Sequence, residues 1–418
     1  MHLTQGGNRD LYRVFAEVAM RLSRGGGALG MVFPRTLLAG YGTAPLREAL
    51  FSASETVVDS GLNKGQWIFP DVHAQYTLVA LAARKNSRAI VSTAGPAISE
   101  KAWSLMPDSR IDWSVEELSK ATEGLEVPLI PDVQSATLFR KLVANGQRFD
   151  APLGASFRSW APINATTDHR SGLLREHGKG WPVYSGDNFD LWTPEVGNPP
   201  FVLGEKEGMA FLQRKRQRSS VWKGIPTSLV RDPRTLPQYR SHILFRDVTN
   251  RTNSRTVIAA LVPPKRFATN TAPMLLRFGG GPLDDMLRLA VMCSLPFDWC
   301  ARRRVEIHLN FFILNALPVP TVALADHNAE RAASLAARLA CIDERFDEFA
   351  RACGIAIDPP NGKERLEAIA EIDALVASMY GLDAQDLETI FSDFTSEAVP
   401  EERRQAIRDQ FACAQEKK

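Results

Sequence analysis

The stretch of this 418-residue chain best equipped to do chemistry is its basic middle. Arg214, Lys215, Arg216 and Arg218 fall within one short run, and Arg231, Arg234, Arg240, Arg246, Arg251 and Arg255 follow. Phe201, Phe211, Trp222, Tyr239, Phe245 and Phe267 are interleaved with them. Like charges this close repel one another unless water or a polyanion separates them, and aromatic faces among them offer stacking surface. The pattern suits a surface that grips a polyanion such as a nucleic acid; a merely basic soluble domain is the alternative. Residues 1–200 carry 20 basic and 20 acidic side chains, 201–320 carry 19 and 8, and 321–418 carry 11 and 20. The formal net charge of +2 therefore hides a neutral first part, a basic middle and an acidic tail.

Other chemistries find little support. Cys293, Cys300, Cys341, Cys353 and Cys413 are odd in number and lack CxxC spacing, which argues against a zinc site or a disulfide scaffold and suits a reducing, cytoplasmic setting. No metal is expected. The seven histidines, His2, His73, His169, His177, His242, His308 and His327, are dispersed and form no Ser–His–Asp arrangement. No apolar run approaches the ~20 residues of a membrane span, and the start carries no secretory segment. The apolar fraction of 44% is that of a globular protein, and the length suits two or three domains.

Leu11, Phe15, Val18 and Leu22 recur at helical spacing and predict a helix over 8–23, stopped by Gly25, Gly26 and Gly27. Leu29 to Phe33 reads as a buried strand, and 43–51 as a short helix with Pro45 in its first turn. Glu55 to Ser60 and Gln75 to Ala83 read as two further strands, joined by a loop carrying Trp67, Ile68, Phe69 and Pro70. This is the α/β alternation of an open sheet, but three strands are too few for a doubly wound one, so the segment reads as its back half. Residues 91–150 read as a connector with one helix near 132–145. Residues 151–320, rich in Pro, Gly and Trp, read as mixed α/β, with short apolar runs at His242 to Phe245 and Thr256 to Val262 and helices at 283–300 and 303–316. From about 325 the pattern is helical: 326–352, 361–380, 384–393 and 398–414. The expected fold class is thus α/β, a partial Rossmann-like sheet followed by a mixed α/β region and an α-helical C-terminal region. The expected divisions are 1–90, 91–150, 151–320 and 321–418.

Four blocks, in order, carry a resemblance. GGNRDLYRVFAEVAMRLSRGGGALGMVFPRTLLAGYGTAPLREALF (residues 6–51) resembles the stretch after the catalytic loop of gamma-class N6-adenine DNA methyltransferases. WIFPDVHAQYTLVALAARK (67–85) is similar to their last conserved block. WPVYSGDNFDLW, YRSHILFRDVTNRTNSRTVIAALVPP and LPFDWCARRRVEIHLNFFILNALPVP resemble the target-recognition region of large single-chain methylases, among them the type IIG restriction–modification and phage-defence enzymes. ERLEAIAEIDALVASMYGLDAQDLETIFSDF resembles the helical element that closes them. The resemblance implies the C-terminal half of a site-specific, S-adenosylmethionine-dependent adenine methyltransferase acting on double-stranded DNA: the end of a catalytic domain in 1–90, a DNA target-recognition domain in 151–320 and a helical tail.

It also implies roles for residues. Phe69 matches the aromatic that stacks on the flipped adenine; a core Phe at a strand start is the other reading. Stacking of about 1–3 kcal/mol per base is comparable with the cost of extruding one. Leu11, Tyr12 and Phe15 match a block edging the cofactor's adenine, with core packing the preferred reading for two of the three. Arg246 and Arg255 match elements of the recognition region, a structural pair with Asp247 being an equal reading for Arg246; Arg214, Lys215, Arg216, Arg218, Arg302 and Arg303 are candidates for phosphate contacts, Arg304 standing beside them, with a solvated face the alternative for each. Asn198-Pro199-Pro200-Phe201 matches the family's catalytic loop letter for letter, but it follows a segment poor in strand character and lies inside the recognition region, so a Pro-rich turn is the preferred reading. Gly279-Gly280-Gly281 is a poor cofactor loop, since Pro282 follows it and about 80 residues separate it from Asn198. The family's glycine loop and catalytic loop belong before the helix at 8, where only seven residues stand. The expectation is a second polypeptide supplying the cofactor-binding half. A non-catalytic DNA-specificity subunit and an inactive truncated remnant are the alternatives.

Overall fold

A computed structural model describes residues 10–85, 88–151 and 155–416. The chain divides into two units: residues 1–144 with 302–306, and residues 145–301 with 307–418. The fold is mixed α/β, with several sheets and many helices.

Unit 1 is built on five strands: β1 (Ala28–Pro34), β2 (Ser54–Leu62), β3 (Thr77–Lys85), β4 (Ile90–Ala97) and β5 (Ile111–Ser114). Their order is β1-β3-β2-β4-β5. The chain's third strand is thus inserted between its first two, antiparallel to both, while β4 runs parallel to β2 and β5 antiparallel to β4. The first three strands lie where apolar runs foretold them. The sheet then continues through 90–97 and 111–114, segments read from sequence as connector. Small and polar residues in IVSTAGPA hid β4, and four residues of β5 are too few for a period to register. α1 (Leu11–Leu22), α2 (Thr36–Ala39), α3 (Ala44–Ser52), α4 (Glu100–Leu105), α5 (Val115–Ala121) and α6 (Val133–Ala144) complete the unit.

Two features of unit 1 run against expectation. α1 forms as predicted, but it buries Arg13, Ala16 and Glu17, whereas its apolar stripe is uncovered: Leu11 is 74% exposed, Phe15 59%, Val18 43% and Leu22 82%. β1, expected to be buried, is an edge strand with only Phe33 buried. Lys85 N–H donates to the Gly27 carbonyl and Arg35 N–H to the Thr77 carbonyl, so the odd-numbered residues of β1 bond to β3. The N–H and C=O groups of Ala28, Gly30 and Val32 therefore face an edge on which no described strand pairs.

The segment 302–306 is held in unit 1 by buried charge. Arg304 pairs with Glu126, each 1% exposed. Arg35 donates to the carbonyls of Arg304 (3.0 Å) and Arg303 (3.3 Å). Arg47 donates to four oxygens, those of Gly124, Leu37, Gly40 and Thr43, at 2.7–3.0 Å. Burying a guanidinium is costly unless such acceptors offset the lost water.

Unit 2 contains nine strands: β6 (Gly146–Arg148), β7 (Ser156–Trp160), β8 (Trp181–Tyr184), β9 (Phe201–Leu203), β10 (His242–Phe245), β11 (Ala259–Val262), β12 (Phe267–Ala268), β13 (Met274–Phe278) and β14 (Pro318–Pro320) among the described residues. They form an antiparallel sheet β11-β10-β13-β7, a smaller one β12-β8-β9, and the pair β14-β6. Val183, Phe189, Leu203, Leu212, Leu244 and Phe267 are fully buried in the core between them. Helices α7 (Ala165–Arg170), α8 (Glu205–Arg218) and α9 (Thr227–Arg231) lie in this region. α10 (Pro282–Cys293) and α11 (Leu295–Arg302) fill the stretch expected to be helical at 283–300, but of 303–316 only α12 (Phe311–Ala316) is. The tail is helical as expected: α13 (His327–Ala340), α14 (Asp347–Ala352), α15 (Gly362–Met379), α16 (Ala384–Ser392) and α17 (Glu401–Glu416). Asp373 on α15, 1% exposed, accepts from the Leu295 N–H and from Arg403, both at 2.8 Å, fastening α11 and α17 to the central helix.

Candidate functional site

The loop from β2 to β3 is organised by Asn63, the first residue beyond β2 and fully buried. Its Oδ1 accepts from the N–H groups of Ile68 (3.0 Å) and Phe69 (3.1 Å). Its Nδ2 donates to the carbonyls of Phe69 (2.9 Å) and Val72 (2.7 Å). One carboxamide thus spends all four of its hydrogen-bonding positions on the backbone around Phe69. Gly65 and Gln66, both with φ in the left-handed region (73° and 59°), turn the chain into this loop. Trp67 is fixed by its indole N–H, which donates to the Leu62 carbonyl at 2.8 Å, and by an edge-to-face contact with Trp103 (6.1 Å).

Phe69 is 43% exposed at the mouth of an apolar cavity of about 160 Å³. Val32, Trp67, Ile68, Leu78, Ala80 and Trp103 line it. Gly61 makes room below: a Cβ there would stand 2.7 Å from Ile68 Cδ1 and 3.2 Å from the Trp103 ring. An apolar cavity of roughly 150 Å³ accepts one benzene-sized ring. The arrangement can therefore hold a planar ring by dispersion and stacking, with no polar side chain of its own to orient it. Asn63 and Trp103 were missed in the sequence, and Trp67 was named only as a residue of the loop. Asn63 could have been found as a polar residue closing an apolar strand; Trp103 lies beyond β4, which was itself unread. His73, beside this loop, is exposed and packs edge-on against Tyr76.

Tyr12 and Phe15 part company. Tyr12 is half-buried against Phe33 (6.3 Å), and burial, opposed by a hydrogen bond with Thr36, raises its phenol pKa. Phe15 belongs to the uncovered stripe of α1.

Asn198-Pro199-Pro200-Phe201 lies in unit 2, in a turn that leads into the short strand β9, which stands between it and α8. Asn198 is exposed, and the Phe201 ring lies 4.8 Å from that of His169. The turn therefore runs into a strand and not directly into a helix.

The candidate phosphate contacts separate by burial. Arg214, Lys215 and Arg218 are exposed on the last turns of α8, where the helix dipole favours cations, and Lys215 Nζ stands 5.1 Å over the Phe211 ring. Arg214 and Arg218, four residues apart, share one face. Arg216 instead is 1% exposed: it stacks over Trp222 (4.3 Å) and donates to the Leu229 carbonyl and to Thr235 Oγ1. Arg246 donates to the carbonyls of Gly186 (2.7 Å) and Phe189 (2.9 Å) and clamps their loop, while its neighbour Asp247 pairs with His308. Arg255, buried, donates to the carbonyls of Cys293 and Ser294 and stands 3.5 Å from Asp298. Arg302 and Arg303 are 7% and 5% exposed. Arg216, Arg246 and Arg255 are thus engaged with backbone and side chains that the fold brings to them, and Arg302 and Arg303 are buried. The basic surface is smaller than the composition of 201–320 suggests.

Among the described residues no group of three or more His, Cys, Asp or Glu side chains is placed to hold a metal, and no helix is long and apolar enough to cross a membrane. The cysteines are free; Cys413 is exposed and the other four are buried.

No protein-family model matches the chain, and no curated protein matches it. Among solved structures it is similar to the Type IIL restriction–modification enzyme MmeI in complex with DNA, with a TM-score of 0.44 and 13% identity over 96% of this chain and 52% of that one. It is also similar to the type IIG restriction endonuclease BpuSI, with a TM-score of 0.31 and 14% identity over 95% of this chain and 51% of that one. The chain spans about half the length of each.

Proposed function

We propose that this chain supplies the base-stacking and DNA-gripping parts of a site-specific adenine-N6 DNA methyltransferase of a restriction–modification or phage-defence system. The observation that carries the reading is the Asn63-braced loop, which holds Phe69 at the mouth of a ring-sized apolar cavity in the block that resembles the family's last motif. In this reading an adenine turned out of the duplex seats its ring against Phe69, and the exposed cations of α8 hold phosphates of double-stranded DNA. The adenine amine is the nucleophile, so no covalent intermediate with the protein is needed.

The family's methyl donor is S-adenosylmethionine, and unit 1 offers it only a partial wall. Among its described residues no strand runs through a glycine-rich turn into a helix, the feature that seats a nucleotide-like cofactor. These residues do not fit the whole donor, and no step is assigned to them through it. We take the donor site to be completed by a further sheet layer, on the same polypeptide or a second one, added at the free edge of β1. The unpaired backbone of Ala28, Gly30 and Val32 and the uncovered stripe of Leu11, Phe15, Val18 and Leu22 support this, since a parallel strand would satisfy the first and its flanking helix would cover the second.

A second reading, a DNA-specificity module without catalysis, is favoured by the exposed basic face of α8, which needs nothing from unit 1. The two separate on Phe69→Ala in the completed enzyme. Methylation falling at least about tenfold with DNA affinity little changed supports base stacking; equal losses in both count against stacking, and DNA binding with no methylation under any condition supports the module.

A further inference from the structure

The loop that carries Phe69 ends on a second exposed ring, that of Tyr76. It closes in two successive turns, with the Val72 N–H donating to the Phe69 carbonyl (3.2 Å) and the Tyr76 N–H to the His73 carbonyl (3.1 Å). The Asn63 N–H donates to the Tyr76 carbonyl at 3.0 Å, one step beyond the last pair of β2 with β3, Leu62 with Thr77. Asn63 therefore holds Tyr76 by its backbone N–H and Phe69 by its side chain. Side chains alternate along a strand, so Tyr76, two residues before Leu78 and four before Ala80, emerges on the sheet face where those two line the apolar cavity. Tyr76 stands outside the cavity lining and is 47% exposed. The His73 ring meets it edge-on at 6.2 Å, and His73 is itself fixed by the Gln75 N–H, which donates to Nδ1 at 3.3 Å. A tyrosine on a surface is ordinary. One whose N–H and C=O are both bonded, and whose ring is held at its edge, loses little freedom when another ring stacks on its open face.

We propose that Tyr76 stacks on the nucleotide next to the extruded adenine, a role that rests on the base-stacking role proposed for Phe69. The one braced loop then holds two consecutive bases of an opened strand, the first at the cavity mouth against Phe69 and the second outside it against Tyr76. Every base has a π-face, so this contact adds affinity for an opened strand and no sequence preference. Tyr76 and Phe69 are both preorganised by Asn63, and neither needs the methyl donor to be bound.

The test uses the full chain and a short DNA duplex with one unpaired, bulged adenine, a base already out of the stack. The fluorescent base 2-aminopurine replaces either the bulged adenine or the nucleotide on its 5′ or 3′ side. Tyr76→Ala is expected to weaken the bulged duplex about fivefold or more, the scale of one lost stack, and to leave the same duplex without the bulge unchanged. It abolishes the fluorescence change at one flanking position and keeps that at the bulge. Tyr76→Phe stays within about twofold of the unaltered chain, because stacking uses the ring and not the hydroxyl. Phe69→Ala does the converse, losing the signal at the bulge and keeping the flanking one, so each variant shows the other to be folded. Flanking signals unmoved by Tyr76→Ala overturn the assignment of Tyr76, whatever Phe69 does. A bulge signal unmoved by Phe69→Ala, with the flanking signal lost in Tyr76→Ala, overturns the role of Phe69 and keeps Tyr76 as a strand contact. Absence of saturable binding of the bulged duplex overturns both.

Discussion

Asn63 offers the sharpest perturbation of the loop. Asn63→Ala removes four hydrogen bonds, two to the N–H groups of Ile68 and Phe69 and two to the carbonyls of Phe69 and Val72. At about 1 kcal/mol net for each bond the ceiling is about 4 kcal/mol. Phe69 is 43% exposed, so water can recover part of this at its own groups, leaving about 2–3 kcal/mol. Each 1.4 kcal/mol is tenfold, so the open population of the loop should rise about 30- to 150-fold. Amide hydrogen exchange at Ile68 and Phe69, read by mass spectrometry of the peptide spanning 63–72, measures it directly. Asn63→Asp keeps both acceptor contacts and loses both donor contacts while burying a charge, so it should also loosen the loop and should not rescue it. Exchange at Ile68 and Phe69 unchanged in Asn63→Ala would refute the bracing role.

Three further outcomes are expected. His242 is buried with its pKa lowered from 6.5 to about 4, chiefly by desolvation and against the Arg240 and Pro237 carbonyls. The unfolded chain takes up this proton first, so stability from this group is present above pH 6.5 and lost as pH falls toward about 4. His242→Gln should flatten urea-unfolding midpoints across that window, and an unchanged slope would count against the burial argument. For DNA, Arg214→Ala, Lys215→Ala and Arg218→Ala combined should reduce the slope of log affinity against log salt by up to about 3, whereas Arg216→Ala should lower the unfolding midpoint and leave that slope nearly intact. A slope unmoved by the triple change would remove the α8 face as the DNA contact. Breaking the Arg304–Glu126 pair with Glu126→Ala should cost about 3–5 kcal/mol, because it strands a buried guanidinium; a loss under about 1 kcal/mol in denaturant titration would show that the pair is dispensable.

What the sequence disclosed follows from the range of the forces involved. β1, β2 and β3 are runs of local apolar pattern, and α1 and the tail helices are local periodicities, so both were readable. The direction in which α1 turns its stripe was not, because amphipathicity marks a face to be covered without naming its cover; the structure leaves Leu11 and Leu22 uncovered. The arginines misled for the opposite reason. Arg255 meets Cys293 and Ser294, and Arg216 meets Leu229 and Thr235, pairings that only tertiary structure creates. Counting charge along 201–320 cannot tell a buried guanidinium from one offered to solvent. Phe69 was singled out by resemblance, but the carboxamide that positions it carries no sequence signature beyond being polar at a strand end.

Methyl transfer to DNA is the most direct measurement of the central idea, that this sheet is completed at β1 before a donor is seated. Labelled methyl incorporation into adenine is followed with this chain alone, and with this chain plus a polypeptide ending in a strand and an (Asp/Asn)-Pro-Pro-aromatic loop. The expected result is no incorporation alone, incorporation at adenine N6 in the mixture, and its loss when Gly30→Pro removes a free-edge N–H of β1. Incorporation by the chain on its own, at a rate the second polypeptide does not change, would contradict it.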